Sequence, residues 1–296
     1  MPHWPDAFAT LARKLSLASL PAQARGALRA QLELSAGADQ PVEDTAPRGR
    51  IVVLAPHMDD ETFGCGGTLA AAVANGATIT VVFLTDSSKG YDPSQVATFS
   101  QTEVAQFERE LATQRKEEAR LACSALGIRE LRFLDFPDSA LVADPDSVAA
   151  LTAILVDAKA EEIFLPFFCD PHPDHWNANR LLVAAAREKH FEPVRCWGYE
   201  VWNPLCANVI VEISSTIEAK TAAIAAYPSQ NRDRDYARAI VGLNVYRALQ
   251  IERHGGYGEA FYRAPLHLYL SLFEHFSSAH VDSAKLPLES AGAAFK

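Results

Sequence analysis

Basic residues are in deficit. The chain has 27 Lys and Arg against 37 Asp and Glu, a formal net charge of −10. That balance argues against a nonspecific grip on nucleic acid or on an anionic membrane, while leaving room for a local basic pocket. Cysteine is scarce as well. Cys65, Cys123, Cys169, Cys196 and Cys206 contain no CxxC pair, and their number is odd. A disulfide scaffold is therefore not expected in 296 residues; buried free thiols in a reducing cytoplasm are. No run is apolar and long enough to span a bilayer. The opening MPHWPDAFATLARKLSLASL lacks the basic head and long apolar core of a signal peptide, being interrupted by Asp6, Arg13 and Lys14. These absences predict a cytoplasmic protein with no integral membrane segment. The dinucleotide fingerprint is missing too: GCGG at 64–67 has neither GxGxxG nor P-loop spacing. Its glycines predict close packing of a helix on a strand, and a nicotinamide oxidoreductase is disfavoured. No internal repeat is visible.

What is present is an ordinary globular composition, 49% apolar and 22% charged. Residues 5–35 read as one or two amphipathic helices and 36–48 as a linker. The predicted organisation is thus a helical appendage over 1–48 and one domain over 49–296. Within the domain, strands at 50–56, 77–86, 131–136, 161–167, 194–202 and 208–213 are expected. Helices are expected at 66–76, 102–127, 146–160 and 177–190, with a polar loop at 87–101. The alternation implies an α/β fold: a Rossmann-like, doubly wound, mainly parallel sheet with helices on both faces.

Ligands of such folds sit beyond the carboxyl ends of the strands. Two polar clusters fall there. VVLAPHMDDETFGCGG (52–67) places His57, Asp59, Asp60 and Glu61 after the first strand, and CDPHPDHWN (169–177) places His172, Asp174 and His175 after the fourth. Histidines and carboxylates on one rim are the donor set of a catalytic zinc site. His57 and Asp60, three apart, can face one point in a turn, while Asp59 is offset from them. The histidines of HPDH are also three apart; one can bind metal and the other face a substrate, and spacing does not say which. CWGYEVWNPL (196–205) reads as a buried strand and turn or as an aromatic platform for sugar rings.

PHMDDE and HPDH, in this order, resemble the two signatures of the PIG-L/LmbE-like zinc-dependent de-N-acetylases. TFGCGGTLA, TQRKEEA, LDFPDSAL, IEAKTAAIAAYPSQ and YGEAFYR extend the resemblance over 50 to about 265. Met58 stands where the usual signature has proline, which loosens the turn but adds no competing ligand. The resemblance implies a Rossmann-like fold and hydrolysis of the acetamide of an N-acetylated amino sugar, in a glycan, glycoside or glycolipid precursor, to acetate and free amine. It implies Zn2+ as cofactor, with other divalent transition metals open, and His57, Asp60 and His175 as its ligands. Asp59 is implied as the general base and His172 as the group beside the scissile carbonyl. Asp174 would orient a histidine, and Arg115 and Asp138 would reach sugar hydroxyls. A zinc amide hydrolase of a non-sugar N-acyl amine is the alternative. The implied partner is a small-molecule or glycan substrate, not nucleic acid, and a homo-oligomer stays open.

Overall fold

The computed structural model describes residues 41–283, except residues 192, 233 and 254. The helices expected over 5–35 lie outside the described residues. The unit Gln40–Leu266 holds the whole sheet.

Eight strands form that sheet: β1 (Val42–Asp44), β2 (Arg50–Ala55), β3 (Thr78–Thr85), β4 (Glu130–Phe136), β5 (Glu162–Pro166), β6 (Arg195–Tyr199), β7 (Val209–Glu212) and β8 (Gly258–Pro265). Their order is β1-β7-β8-β6-β5-β2-β3-β4. β4, β3, β2, β5 and β6 run parallel. β8 runs antiparallel to β6 and β7, and β1 pairs parallel with β7. The sheet is thus mixed, with a parallel core. Ile51 to Ala55 are all buried, as are all five residues of β5. Continuous branched runs of this kind suit strands covered on both faces.

The helices are α1 (Asp60–Ala74), α2 (Gln101–Ala125), α3 (Pro145–Asp157), α4 (Pro173–Glu188), α5 (Ile217–Ala225), the single turn α6 (Pro228–Asn231), α7 (Tyr236–Leu249) and α8 (Leu266–Ser283). α1, α2 and α5 pack together, and α3 packs with α4, so that helices cover both faces. Local chemistry sets several starts. Ser100 and Glu103 form a reciprocal capping box on α2, and Asp144 with Ser147 does so on α3, where Pro145 occupies the first turn.

The glycines of GCGG serve close approach. A Cβ on Gly64 would lie 2.2 Å from the Tyr199 ring, and one on Gly67 would lie 2.6 Å from the Ile213 side chain. α1 can therefore sit directly on the ends of β6 and β7. Beneath it, Lys220 and Glu259 form a fully buried ion pair at 2.5 Å. Lys220 Nζ also donates to Phe63 O, and Glu259 accepts from the backbone N–H groups of Gly67 and Thr68. Phe63 O and Gly67 N–H are i→i−4 partners in a regular helix, so the pair brackets one rung of α1.

Two strands were not expected. β8 lies in GEAFYRAP, whose buried Glu259 and exposed Pro265 break a strand-like alternation. β1 is a three-residue strand inside a stretch of linker composition. Two helices also start earlier than expected: α1 at Asp60 rather than 66, and α4 at Pro173 rather than 177. Both shifts draw site residues into first turns. Cys65, Cys123 and Cys196 are buried free thiols, as expected, but Cys206 is exposed. Among the described residues, no helix is long and apolar enough to cross a membrane.

Candidate metal centre

β2 and β5 are parallel neighbours, paired from Ile51↔Glu162 to Val53↔Phe164. From β2 the chain steps outward to β3 and β4; from β5 it steps the other way to β6. The loops that follow β2 and β5 therefore leave the same rim where the winding reverses, the usual crevice of an open α/β sheet. Both sequence clusters lie on those loops.

Three atoms form a nearly equilateral triangle there. His57 Nδ1 is 3.3 Å from Asp60 Oδ2, His175 Nε2 is 3.2 Å from the same oxygen, and the two ring nitrogens are 3.3 Å apart. A tetrahedral zinc with bonds of about 2.0–2.1 Å separates its ligand atoms by roughly 3.3–3.4 Å. The donor set and spacing thus fit a tetrahedral transition ion with its fourth position open. His57, His172 and His175 also offer atoms within 4.8 Å of one another, a looser set. His57, Asp138 and Asp174 form another such set, but both Asp174 oxygens are already engaged by backbone N–H groups.

Each histidine of the triangle is clamped from behind. His57 Nε2 donates to Asp174 Oδ2 at 3.0 Å. Asp174 is itself held by the N–H groups of Ser139 (2.7 Å) and Leu141 (3.0 Å). His175 Nδ1 lies 3.1 Å from Asp170 Oδ1, close enough for an ion pair though not aligned as a hydrogen bond. Asp170 accepts in turn from the N–H groups of His172 (3.0 Å) and Trp202 (2.9 Å). Carboxylates behind metal-binding histidines fix tautomer and ring orientation. Burial opposes charge on His57 and His175. The carboxylates around them outweigh it, holding His57 well above the ordinary imidazole value and pushing His175 up to about 9. Burial would raise Asp60, but His175 and His57 drive it far below the carboxylate range. The cage is built for positive charge, for which protons and a metal ion compete.

Asp59 sits beside the triangle with a backbone φ of 150°, a region a non-glycine residue rarely occupies. Two other residues with positive φ touch the site. Ser87 accepts from Met58 N–H through Oγ, and Ser139 donates to Asp174. Such strain clusters at functional sites. Arg115 is buried, and its Nη2 donates to Asp59 Oδ2 at 2.9 Å and to Met58 O. Burial pushes the Asp59 carboxyl up to about 6, with Arg115 opposing and Asp60 adding.

His172 is the N-cap of α4. Its Nδ1 accepts from Asp174 N–H at 3.2 Å, so the neutral ring carries its proton on Nε2. Its ring centre is 4.5 Å from that of His57. Asp138 is buried; it lies 3.5 Å from His57 Nε2 and accepts from Lys89 N–H at 2.8 Å. Glu61 is fully buried and accepts from Thr62 Oγ1 and Tyr227 OH, both at 2.7 Å.

All eight residues expected at the site converge on this rim. Arg115 and Asp138, expected to face substrate, are buried and engaged with Asp59 and His57. Sequence reasoning missed Asp170. Its signal was an aspartate two residues before the cap of α4, where a short side chain turns back on the following N–H groups. Cys65, close to the first cluster, donates to Glu61 O inside α1.

Residues 52–186 match the family model described as PIG-L: GlcNAc-PI de-N-acetylase. The chain is 26% identical over 204 residues to the diacetylchitobiose deacetylase of Thermococcus kodakarensis, covering 61% of this chain and 70% of that one. It is 29% identical over 157 residues to the 1D-myo-inositol 2-acetamido-2-deoxy-alpha-D-glucopyranoside deacetylase of Thermobifida fusca, covering 46% and 54%. The match thus spans little more than half the length of the second relative. The N,N'-diacetylchitobiose deacetylase of Pyrococcus horikoshii shares the fold, with a TM-score of 0.60, 21% identity, and coverage of 91% of this chain and 96% of that one.

Proposed function

Residues 52–186 of this chain are a PIG-L-family domain, and on that premise we propose that the protein is a metal-dependent N-deacetylase of an N-acetylated amino sugar. It hydrolyses the acetamide to acetate and a free amine. The observation that carries the reading is the triangle of His57 Nδ1, Asp60 Oδ2 and His175 Nε2, with sides of 3.2–3.3 Å, next to Asp59, whose Oδ2 is held by Arg115. These three residues would hold the ion, zinc by geometry and donor type. When bound, the ion supplies Lewis acidity toward a water and an acyl oxygen.

The side chains have distinct tasks. Asp59 takes a proton from the attacking water. Its carboxyl, pushed up to about 6, is a stronger base than an exposed aspartate, and Arg115 keeps it aimed. His172 stands across the site with a proton on Nε2. Through Nε2–H it donates a hydrogen bond to the oxygen where negative charge develops, and Asp59 returns the proton it took from water to the leaving nitrogen. Asp174 and Asp170 hold the ring orientations of His57 and His175. Arg115 and Asp138 act behind this front as positioning residues. The names of the relatives, deacetylases of a chitobiose and of a glucosaminyl inositol, support an acetamido sugar as substrate.

The test pairs metal content of the purified protein with acetate release from N-acetylated sugars and glycosides, with and without chelator. Bound divalent metal and chelator-sensitive acetate release are expected. Metal with release from simple N-acyl amines but from no sugar would move the reading to a general amide hydrolase. Absence of metal, with no rescue by added zinc, would overturn it.

A further inference from the structure

β6 is parallel to β5, so the loop after it, residues 200–208, emerges on the rim that carries the metal centre. That loop is tied down from within. Glu200 accepts from Leu205 N–H at 2.7 Å and pairs with the buried Arg247, whose Nη2 also donates to Leu205 O at 2.9 Å. Asn203 donates to Cys169 O at 3.0 Å. Trp202 N–H donates to Asp170, the same carboxylate that faces His175 and caps His172 N–H. Yet Trp202 is 45% exposed. A backbone this firmly fixed, with its largest side chain left in water, presents a surface.

A second element completes that surface. Tyr236, at the start of α7, meets Trp202 edge-on, with ring centres 5.9 Å apart. Its other side rests against Phe63 at 5.3 Å, and Phe63 follows Asp60 by one helical turn. Burial raises the Tyr236 phenol; Arg234 opposes this and the charge on Asp59 adds to it, as befits a ring beside the proposed base. Trp202 and Tyr236 are therefore joined to the centre by two short routes, one through Asp170 and one through Phe63.

We infer that Trp202 and Tyr236 form an aromatic subsite for a second pyranose ring, glycosidically linked to the acetamido sugar whose amide is cleaved. A pyranose offers a face of C–H groups to an indole and hydroxyls to the rim, which suits one exposed aromatic face with polar neighbours. The inference rests on the deacetylase reading and narrows it: the preferred substrate is a glycoside rather than a free monosaccharide.

The experiment compares acetate release from N-acetylglucosamine and from N,N'-diacetylchitobiose, by wild type, Trp202→Ala and Trp202→Phe. Trp202→Ala should lower kcat/KM for the disaccharide by about tenfold or more, mainly through KM, as truncation of a central aromatic contact does. The monosaccharide value should stay within about twofold. Trp202→Phe, which keeps a ring on the same backbone, should recover most of the loss. An equal fall on both substrates in Trp202→Ala, or no fall on the disaccharide, would overturn the subsite and leave the deacetylase reading standing. Metal-loaded wild type inactive on both would sink that reading, and the subsite with it.

Discussion

The buried pair under α1 gives the sharpest energetic prediction. Lys220 and Glu259 are both fully shielded from water; Lys220 Nζ stands 2.5 Å from Glu259 Oε1 and 2.9 Å from Phe63 O. In Lys220→Met the apolar stem is replaced almost atom for atom, and the ammonium is lost. Glu259 then remains a buried anion. Removing one member of a buried ion pair costs about 3–5 kcal/mol. Glu259 keeps two backbone donors, Gly67 N–H at 2.9 Å and Thr68 N–H at 2.7 Å, so the low end applies, about 3 kcal/mol. For a domain of this size each kcal/mol lowers the melting temperature by about 2–4 °C, a drop of roughly 6–12 °C. Thermal unfolding followed by circular dichroism reads this directly. The double variant Lys220→Met/Glu259→Gln removes the stranded charge, and should melt above Lys220→Met alone by roughly 2–4 °C. A Lys220→Met protein melting within about 2 °C of wild type, or a double variant showing only the sum of the single losses, would refute the claim that this pair is a coupled, buried support of α1.

Four further perturbations act nearer the chemistry. Asp59→Asn should keep the bound metal and lose about 10²–10⁴-fold in kcat, measured as acetate release beside metal content. His175→Ala should lose the metal, whereas Asp170→Asn should keep it with about 10–100-fold weaker affinity in a competitive chelator titration; unchanged affinity there would remove Asp170 from the centre. Gly64→Ala would set a Cβ 2.2 Å from a Tyr199 ring that is itself fixed through its hydroxyl to Leu54 O. It should therefore cost about 3 kcal/mol, the top of the overpacking range, seen as a shifted urea midpoint with unchanged slope.

The parallel core of the sheet was legible because its strands are buried on both faces. IVVLA and IFLP are unbroken apolar runs, and period and length suffice to recognise them. β8 was hidden because Glu259, answering a lysine on α5, stands buried near the start of the strand, and nothing in the local pattern reveals a partner 39 residues away. The starts of α1 and α4 were hidden for a related reason. Asp60, Asp174 and His175 look like loop residues, and they sit in first turns where acidic side chains also suit the helix dipole. The triangle was legible as a set of residue types. The contacts of Arg115 with Asp59 and of Asp138 with His57 were not, because whether a charged side chain faces solvent or a buried partner is decided by tertiary packing.

The arrangement also explains why the triangle need not await an ion to take shape. His57 rides on the loop after β2, and its clamp Asp174 is fixed by N–H groups from the loop after β4. His175 rides on α4, and its clamp Asp170 is fixed in part by the loop after β6. Four strand ends thus hold two rings and one carboxylate at 3.2–3.3 Å from one another. Without the clamps, two charged imidazoles this close would repel, and Asp60 alone could neutralise only one of them. With Asp138, Asp170 and Asp174 around them, the rings are held in place whether the balancing positive charge is a proton on each or a single divalent cation. Preorganisation of this kind places the cost of assembling the centre in folding rather than in metal capture. It is why the Asp170 and Asp174 carboxylates, which lie behind the proposed ligand atoms, should each shift affinity by about 10–100-fold without being ligands themselves.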